Sequence, residues 1–359
     1  MTDNSFRSKI FLTVIFIWLA TLSVLLVIDI RKNKTVPGLE DLGLYSVKVD
    51  KTEAEAEVEN KKDDRPEKEA ETAKDTETPA GTGSDEEIMY FAKALTTDIK
   101  VPEKLDFAGE AVPLHRIDVE ESLIRELTVN TYMHSSTLTI MKKFPRVSKM
   151  LLPILREENV PEDFIYLAVC ESALNELAYS PARAAGMWQF IESTGKVYHL
   201  KINNSIDERY NIEKATRAAC RYLKSNKERF GSWTLAAAAY NCGELMVEKQ
   251  QNKQKFTSYY DLRLPTETNR YMFRILAFKE ILSHPERYNF KISGPFEDEP
   301  CTKVRIKTRI KDLAVWAKTQ GISYKTLKRF NPWLRDNFLI ASEKDQYDIR
   351  IPVNKDRYR

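Results

Sequence analysis

An uncharged apolar run near the N-terminus places the strongest constraint on this 359-residue chain. Residues 10–28 read IFLTVIFIWLATLSVLLVI, which is 19 residues without a charged side chain. As an α-helix rising about 1.5 Å per residue, the run spans about 28 Å, close to the ~30 Å hydrocarbon core of a bilayer. We therefore predict a membrane-spanning helix that follows a short tail of residues 1–9.

The orientation of this predicted span is not fixed by charge, because basic residues flank it on both sides. A short tail before a long body favours a signal anchor whose body is exported. A cleaved signal peptide is the alternative, and its apolar core is usually about 7–15 residues long, ending near an A-x-A cleavage site. The run here is longer, and no A-x-A follows it.

A highly charged segment follows the span. Residues 51–80 hold eleven acidic and six basic side chains but no aromatic residue, leucine or isoleucine. Such a segment buries too little apolar surface to offset the entropy of ordering it. We predict a disordered linker over residues 29–85 and a helical extension over residues 86–143. An S-x-x-E capping box at Ser84 predicts the start of its first helix.

The composition excludes several classes of site. The four cysteines and four histidines are dispersed without C-x-x-C or paired-ligand spacing, and the sequence contains no glycine-rich phosphate loop. We therefore predict neither a metal nor a cofactor. A net charge of only +3 argues against a nucleic-acid partner.

A single carboxylate marks the most informative position in the chain. Residues 164–170 are all apolar and predict a buried helix, which starts at Pro161 and ends near Glu171. Burial raises the pKa of a carboxyl group, and a carboxyl that is protonated near neutral pH suits a general acid. The alternative is a glutamate that simply emerges into solvent at a helix end.

Two further segments give Glu171 a context. One is the loop GMWQF at residues 186–190, and the other is the alanine-rich helix WTLAAAAY at residues 233–240, which Asn241 follows. Taken alone, each segment is typical of a protein core. Their order and spacing relative to Glu171 make them informative as a set.

As a set, these segments resemble the Slt-type (family 1) lytic transglycosylases over residues 144–285. The matching motifs are E-S at Glu171, G-hydrophobic-x-Q ending at Gln189, and A-Y-N-x-G around Tyr240. The resemblance implies a mainly α fold with a goose-lysozyme-like helical catalytic domain, which we place at residues 144–290. It also implies a bacterial envelope protein, anchored in the inner membrane with its body in the periplasm, or secreted if the span is cleaved.

The same resemblance assigns roles to individual residues. Glu171 is the catalytic acid and then the base, and Tyr240 holds it in place through a hydrogen bond. Further residues are predicted to line the sugar subsites or to close the cleft: Ser172, Met187, Gln189, Asn241, Glu267 and Tyr271. Glycosidases ordinarily use two carboxylates, but the next candidate, Glu176, is predicted to lie on the surface.

The implied reaction is non-hydrolytic cleavage of peptidoglycan glycan strands. The bond between N-acetylmuramic acid (MurNAc) and N-acetylglucosamine (GlcNAc) is cut, and 1,6-anhydro-MurNAc ends are left. A single glutamate suffices because the sugar supplies the attacking hydroxyl. Two alternatives stay open: a goose-type muramidase that uses water, and a non-catalytic peptidoglycan-binding protein with the same fold. Protein partners are not indicated by the sequence.

Residues 301–353 are predicted to form a separate small domain. Alternating apolar residues predict a strand at each end, and helical spacing between them predicts two helices, a β-α-α-β order. This order and the segment L-K-R-F-N-P resemble a divergent LysM peptidoglycan-binding module. Residues 301–359 carry a net charge of +9, which indicates either a surface for acidic wall polymers or a solvated basic face.

Overall fold

The computed structural model describes residues 98–358. The predicted tail, membrane span, linker and the helix starting at Ser84 lie outside this part of the chain. Within residues 98–358, no helix is both long enough and apolar enough to cross a membrane.

The first part of the described chain, residues 98–290, is called the helical domain below. It opens with an antiparallel pair of two-residue strands, β1 (Asp106–Phe107) and β2 (Glu110–Ala111). Its helices are α1 (Ile117–Tyr132), α2 (His134–Glu157), α3 (Phe164–Ser172), α4 (Glu192–Val197), α5 (Ile212–Phe230), α6 (Trp233–Cys242), α7 (Glu244–Gln254) and α8 (Thr266–Ser283). The predicted mainly α fold is confirmed.

The short helix α3 lies at the centre of the helical domain. Phe164, Leu167 and Ala168 have no exposed surface, as the apolar run predicts. The helix begins at Phe164 rather than at Pro161, because Pro161 to Asp163 form a turn whose carbonyls accept the first backbone hydrogen bonds of the helix. Helix α8 packs against α3, α1 and α6, so it brings these three helices together around one core.

Two helices pack closely for a reason that is visible in the sequence. Helix α6 carries four successive alanines, Ala236 to Ala239, all of which are buried against their neighbours. Small side chains allow the backbones of α6 and α5 to approach each other.

Helix α2 is continuous through Pro145 and Pro153, so it runs across the predicted boundary between residues 143 and 144.

The last part of the described chain, residues 301–358, is called the C-terminal module. It contains β3 (Cys301–Ile306), α9 (Leu313–Thr319), α10 (Tyr324–Phe330) and β4 (Tyr347–Pro352). The two strands pair antiparallel, with Cys301 opposite Pro352 and Ile306 opposite Tyr347. The structure thus has the predicted β-α-α-β order.

The module packs against the helical domain. Its core includes Ile206 and Tyr210 of the helical domain, which are buried together with Trp333 and Leu334 of the module. The amide of Asp207 donates to the carbonyl of Trp333 at 2.9 Å, across the boundary between the two parts. Residues 98–358 fall within one compact unit. The sequence did not indicate this packing, because the shared residues look like ordinary core residues of their own segments.

We expect the two parts to unfold together. Leu334→Ala should cost about 2–5 kcal/mol, because it removes a buried side chain from the shared core. In calorimetry, one transition should move down as a whole by roughly 2–4 °C per kcal/mol. Leu245→Ala is the control, since Leu245 is 76% exposed. Two separate transitions, with only one of them shifted by Leu334→Ala, would contradict the shared core.

Candidate active site

Glu171 lies in the last turn of α3, next to Ser172. The helix ends there because Ala173 and Leu174 both adopt left-handed backbone conformations, with φ of 50° and 55°. This reversal turns the chain away directly after the carboxylate. Glu171 therefore lies at the end of a helix whose preceding residues are mostly buried in the core.

The Glu171 carboxyl is tuned for proton transfer near neutral pH. The pKa of the carboxyl is raised to about 7. Loss of water around the carboxyl and the charge of Glu267 raise it, whereas a hydrogen bond from Tyr271 and the charge of Arg274 lower it. Desolvation is the largest of these effects. A carboxyl with a pKa near 7 can both donate and accept a proton at physiological pH.

The partner that holds Glu171 is Tyr271, and the prediction that Tyr240 would do so is wrong. The Tyr271 hydroxyl donates to Glu171 Oε1, and its side chain is buried. The Tyr240 hydroxyl instead donates to the carbonyl of Trp188 at 2.6 Å. Tyr240 still lies near the carboxylate. The charge of Glu171, together with burial, raises the pKa of the Tyr240 hydroxyl. Tyr240 thus supports the neighbouring loop rather than the carboxylate.

That loop, residues 186–190, is fixed by hydrogen bonds to its own backbone and to α5. Trp188 is fully buried, and its indole N–H donates to Thr216 Oγ1 of α5 at 2.9 Å. The Gln189 side-chain amide donates to the carbonyls of Gly186 and Ala178, at 2.7 and 3.2 Å. Gln189 itself has a positive φ of 47°. These bonds hold Gln189 at one edge of the site.

A buried ion pair supports the same loop from behind. Arg209 pairs with Asp207 at 2.7 Å, and its guanidinium also donates to the carbonyls of Arg183 and Phe190 at 2.8 and 3.1 Å. Gly186 packs directly on the Arg209 carbonyl. The D-E-R segment at residues 207–209 thus has a structural role.

The remaining predicted site residues differ in how they are placed. Met187 is 3% exposed and belongs to the main core. The Ser172 hydroxyl donates to the carbonyl of Ala168 at 3.2 Å. Asn241 Oδ1 accepts from the Thr268 hydroxyl at 2.8 Å, which ties α6 to α8. Glu267 is exposed and pairs with Arg274 at 2.9 Å.

Sequence reasoning missed Arg274 and misplaced Glu176. Glu267, Tyr271 and Arg274 follow one another at i, i+4 and i+7 on α8, a spacing that puts them on one face. This spacing was the available signal for Arg274. Glu176 is half-buried rather than on the open surface, and it lines a cavity against the C-terminal module.

No group of three or more His, Cys, Asp or Glu side chains among residues 98–358 is arranged to hold a metal ion.

Comparison with family models identifies both parts of the described chain. Residues 153–262 match the model of the transglycosylase SLT domain, and residues 302–355 match that of the soluble lytic transglycosylase C-terminal LysM-like domain. The chain therefore carries an SLT transglycosylase domain followed by a LysM-like domain. Both resemblances drawn from the sequence are confirmed.

Individual relatives agree with these models. The chain is 32% identical over 229 residues to the membrane-bound lytic murein transglycosylase D of Escherichia coli strain K12. It is equally similar to the protein of the same name from E. coli O6:H1 strain CFT073. The aligned region is 62% of this chain and 50% of each relative, so the chain spans about half the length of the curated relatives that it matches.

We expect Tyr271→Phe to change the pH dependence of the site. The wild-type hydrogen bond favours the ionised carboxylate, so its removal should raise the pKa of Glu171 above about 7. A profile of kcat/KM against pH should therefore keep its shape while its alkaline limb moves to higher pH. The rate should also fall roughly 10–100-fold, because the carboxylate loses its positioning partner. An unshifted alkaline limb would contradict the assigned bond.

Gly186 provides a matched pair of substitutions with Gly231. Both have φ near +78°, but an added Cβ at Gly186 would lie 1.9 Å from the Arg209 carbonyl oxygen, whereas one at Gly231 meets nothing within 4 Å. Gly231→Ala should cost about 1–2 kcal/mol for the left-handed backbone alone. Gly186→Ala should cost clearly more in urea unfolding and should also raise KM. Equal costs would show that the loop can move away from Arg209.

Proposed function

We propose that this protein is a lytic transglycosylase that cuts peptidoglycan glycan strands between MurNAc and GlcNAc. The observation that carries the proposal is the desolvated carboxyl of Glu171, with a pKa near 7, in a transglycosylase SLT domain. The names of the relatives support the same activity.

The first step is protonation of the leaving group. Protonated Glu171 donates its proton to the glycosidic oxygen, and the bond from that oxygen to C1 of MurNAc breaks. Positive charge develops at C1, where the substrate's own 2-acetamido group stabilises it, as in substrate-assisted glycosidases. Tyr271 stabilises the carboxylate that this step leaves behind.

The second step closes the anhydro ring. The C6 hydroxyl of the same MurNAc attacks C1, and Glu171 takes the proton that this hydroxyl releases. The glutamate returns to its starting state, and the product carries a 1,6-anhydro bond. A pKa near 7 suits both halves of this cycle, because neither protonation state is strongly favoured at neutral pH.

The surroundings of Glu171 favour this reaction over one with two carboxylates. Glu267 is the acidic residue whose charge acts on Glu171, but it is exposed and paired with Arg274. It is therefore poorly suited to activate a water molecule as a second catalytic group. A hydrolytic muramidase with the same fold remains the competing function, and its products are heavier by one water per cut.

The cell envelope is the proposed location. The relatives are named membrane-bound, and the predicted span at residues 10–28 provides an anchor. With the body on the periplasmic side, the SLT and LysM-like domains face their polymer. Peptidoglycan strands are the proposed partner.

Glu171→Gln tests the proposed role directly. The amide keeps the shape of the side chain but is far too weak an acid to protonate the leaving group, so activity should fall by at least roughly a hundredfold. The variant should fold normally, because burial of an amide avoids the cost of an ionised carboxylate at high pH. The measurement is mass spectrometry of sacculus digests, with anhydro-MurNAc ends counted.

The matched control is Glu228→Gln, which changes an exposed glutamate of α5 and should leave the products unchanged. Anhydro ends released by Glu171→Gln at the wild-type rate would exclude the assignment. Wild-type products that carry an added water would instead establish the muramidase.

A further inference from the structure

A cavity of about 820 Å³ lies where the C-terminal module meets the helical domain. The segment after α3 contributes Glu176 and Leu177 to its wall, and the module contributes Tyr324 and several basic residues. The cavity is therefore formed only because the module is docked. One wall of the cavity is Leu334 of the shared core, and the catalytic mechanism does not use the cavity.

Four basic residues line this cavity, and three of them lack an ion-pair partner. Arg329 pairs with Glu299 at 2.6 Å. Within residues 98–358, Lys325, Lys328 and Arg335 form no ion pair with a carboxylate. Lys328 donates to the carbonyls of Leu334 and Asp336, at 2.5 and 2.6 Å, and the Arg335 guanidinium lies 4.5 Å from the centroid of the Tyr210 ring. Two of these three charges are thus held in place without an ion pair.

The same cavity offers groups that suit a peptide rather than a bare ion. Leu177 is 56% exposed and Tyr324 is 37% exposed, which gives apolar surface beside the charges. The half-buried Glu176 supplies one acceptor for an amine or an amide N–H. A ligand that carries carboxylates, N–H donors and short apolar side chains would find a partner for each.

The cavity shares a chain segment with the contacts of Gln189. Leu177 precedes Ala178, whose carbonyl accepts a hydrogen bond from the Gln189 side chain at 3.2 Å. One short segment therefore contacts Gln189 and lines the cavity with its preceding residues. Glu176 of the cavity is also only five residues after Glu171 in the sequence. A glycan strand bound at Glu171 would therefore lie close to the cavity.

We propose that this cavity binds the acidic peptide stem of the peptidoglycan strand that occupies the cleft. The inference rests on the proposed function and adds a substrate group to it. Neutral GlcNAc rings gain little from three cations without ion-pair partners, whereas stem carboxylates form charge-assisted hydrogen bonds with them. The stem thereby selects strands that have not been stripped of their peptides.

Lys325→Glu tests the proposal in the full chain. Lys325 is exposed and has no partner within residues 98–358, so the fold should tolerate the change. Binding is measured by co-sedimentation with two probes: intact sacculi, and glycan strands from which an amidase has removed the stems. The variant should bind intact sacculi roughly 3–10-fold more weakly and the stripped strands as the wild type does. Lys311→Glu, an exposed lysine of the same module outside the cavity, should change neither.

Three results would overturn the inference. Equal weakening on both probes would mean that the cavity binds the sugar chain, and no weakening on either would mean that it binds no part of the strand. If Lys311→Glu weakened binding to intact sacculi as much as Lys325→Glu does, the effect would be a general effect of charge and not one of the cavity. Because these assays measure binding, they remain decisive if the wild type yields no anhydro ends, which would count against the proposed function alone.

Discussion

Removal of water from one carboxyl group is the constraint on which the rest of the site depends. An ionised glutamate beside seven apolar residues costs free energy unless donors compensate it. The structure compensates only in part, with the Tyr271 hydroxyl and the more distant Arg274. A stronger ion pair would have stabilised the fold but fixed Glu171 in its ionised form. Partial compensation leaves the proton available in both directions.

Helix α8 is the element that delivers this partial compensation. The Tyr271 hydroxyl reaches Glu171 of α3, while Arg270 and Arg274 of the same helix pair with the buried Glu126 of α1 at 2.7 and 3.6 Å. The Glu126 side chain is 1% exposed, so these pairs join α8 to α1 at a buried carboxylate. The position of the Tyr271 hydroxyl thus depends on the contacts that its neighbours on α8 make with α1.

The spacing of apolar residues within short segments predicted much of the fold and the position of Glu171. It could not predict how the helices are oriented relative to one another. The buried α3, the glutamate at its end and the β-α-α-β module follow from apolar spacing within short segments. The choice between Tyr240 and Tyr271 does not, because it depends on how α6 and α8 are turned relative to each other. Docking of the module was likewise invisible, since Ile206 and Leu334 each satisfy a local core pattern before they meet.

The backbone bond between Asp207 and Trp333 has a mechanical consequence. Asp207 also pairs with Arg209, whose guanidinium binds the Phe190 carbonyl of the loop at residues 186–190. A force applied to the C-terminal module would therefore reach this loop through direct contacts and not through the intervening chain. The shared core and this bond join the two parts directly. In the proposed enzyme, the distance between the wall-binding module and the cutting site is therefore set by the fold and not by the length of a flexible linker.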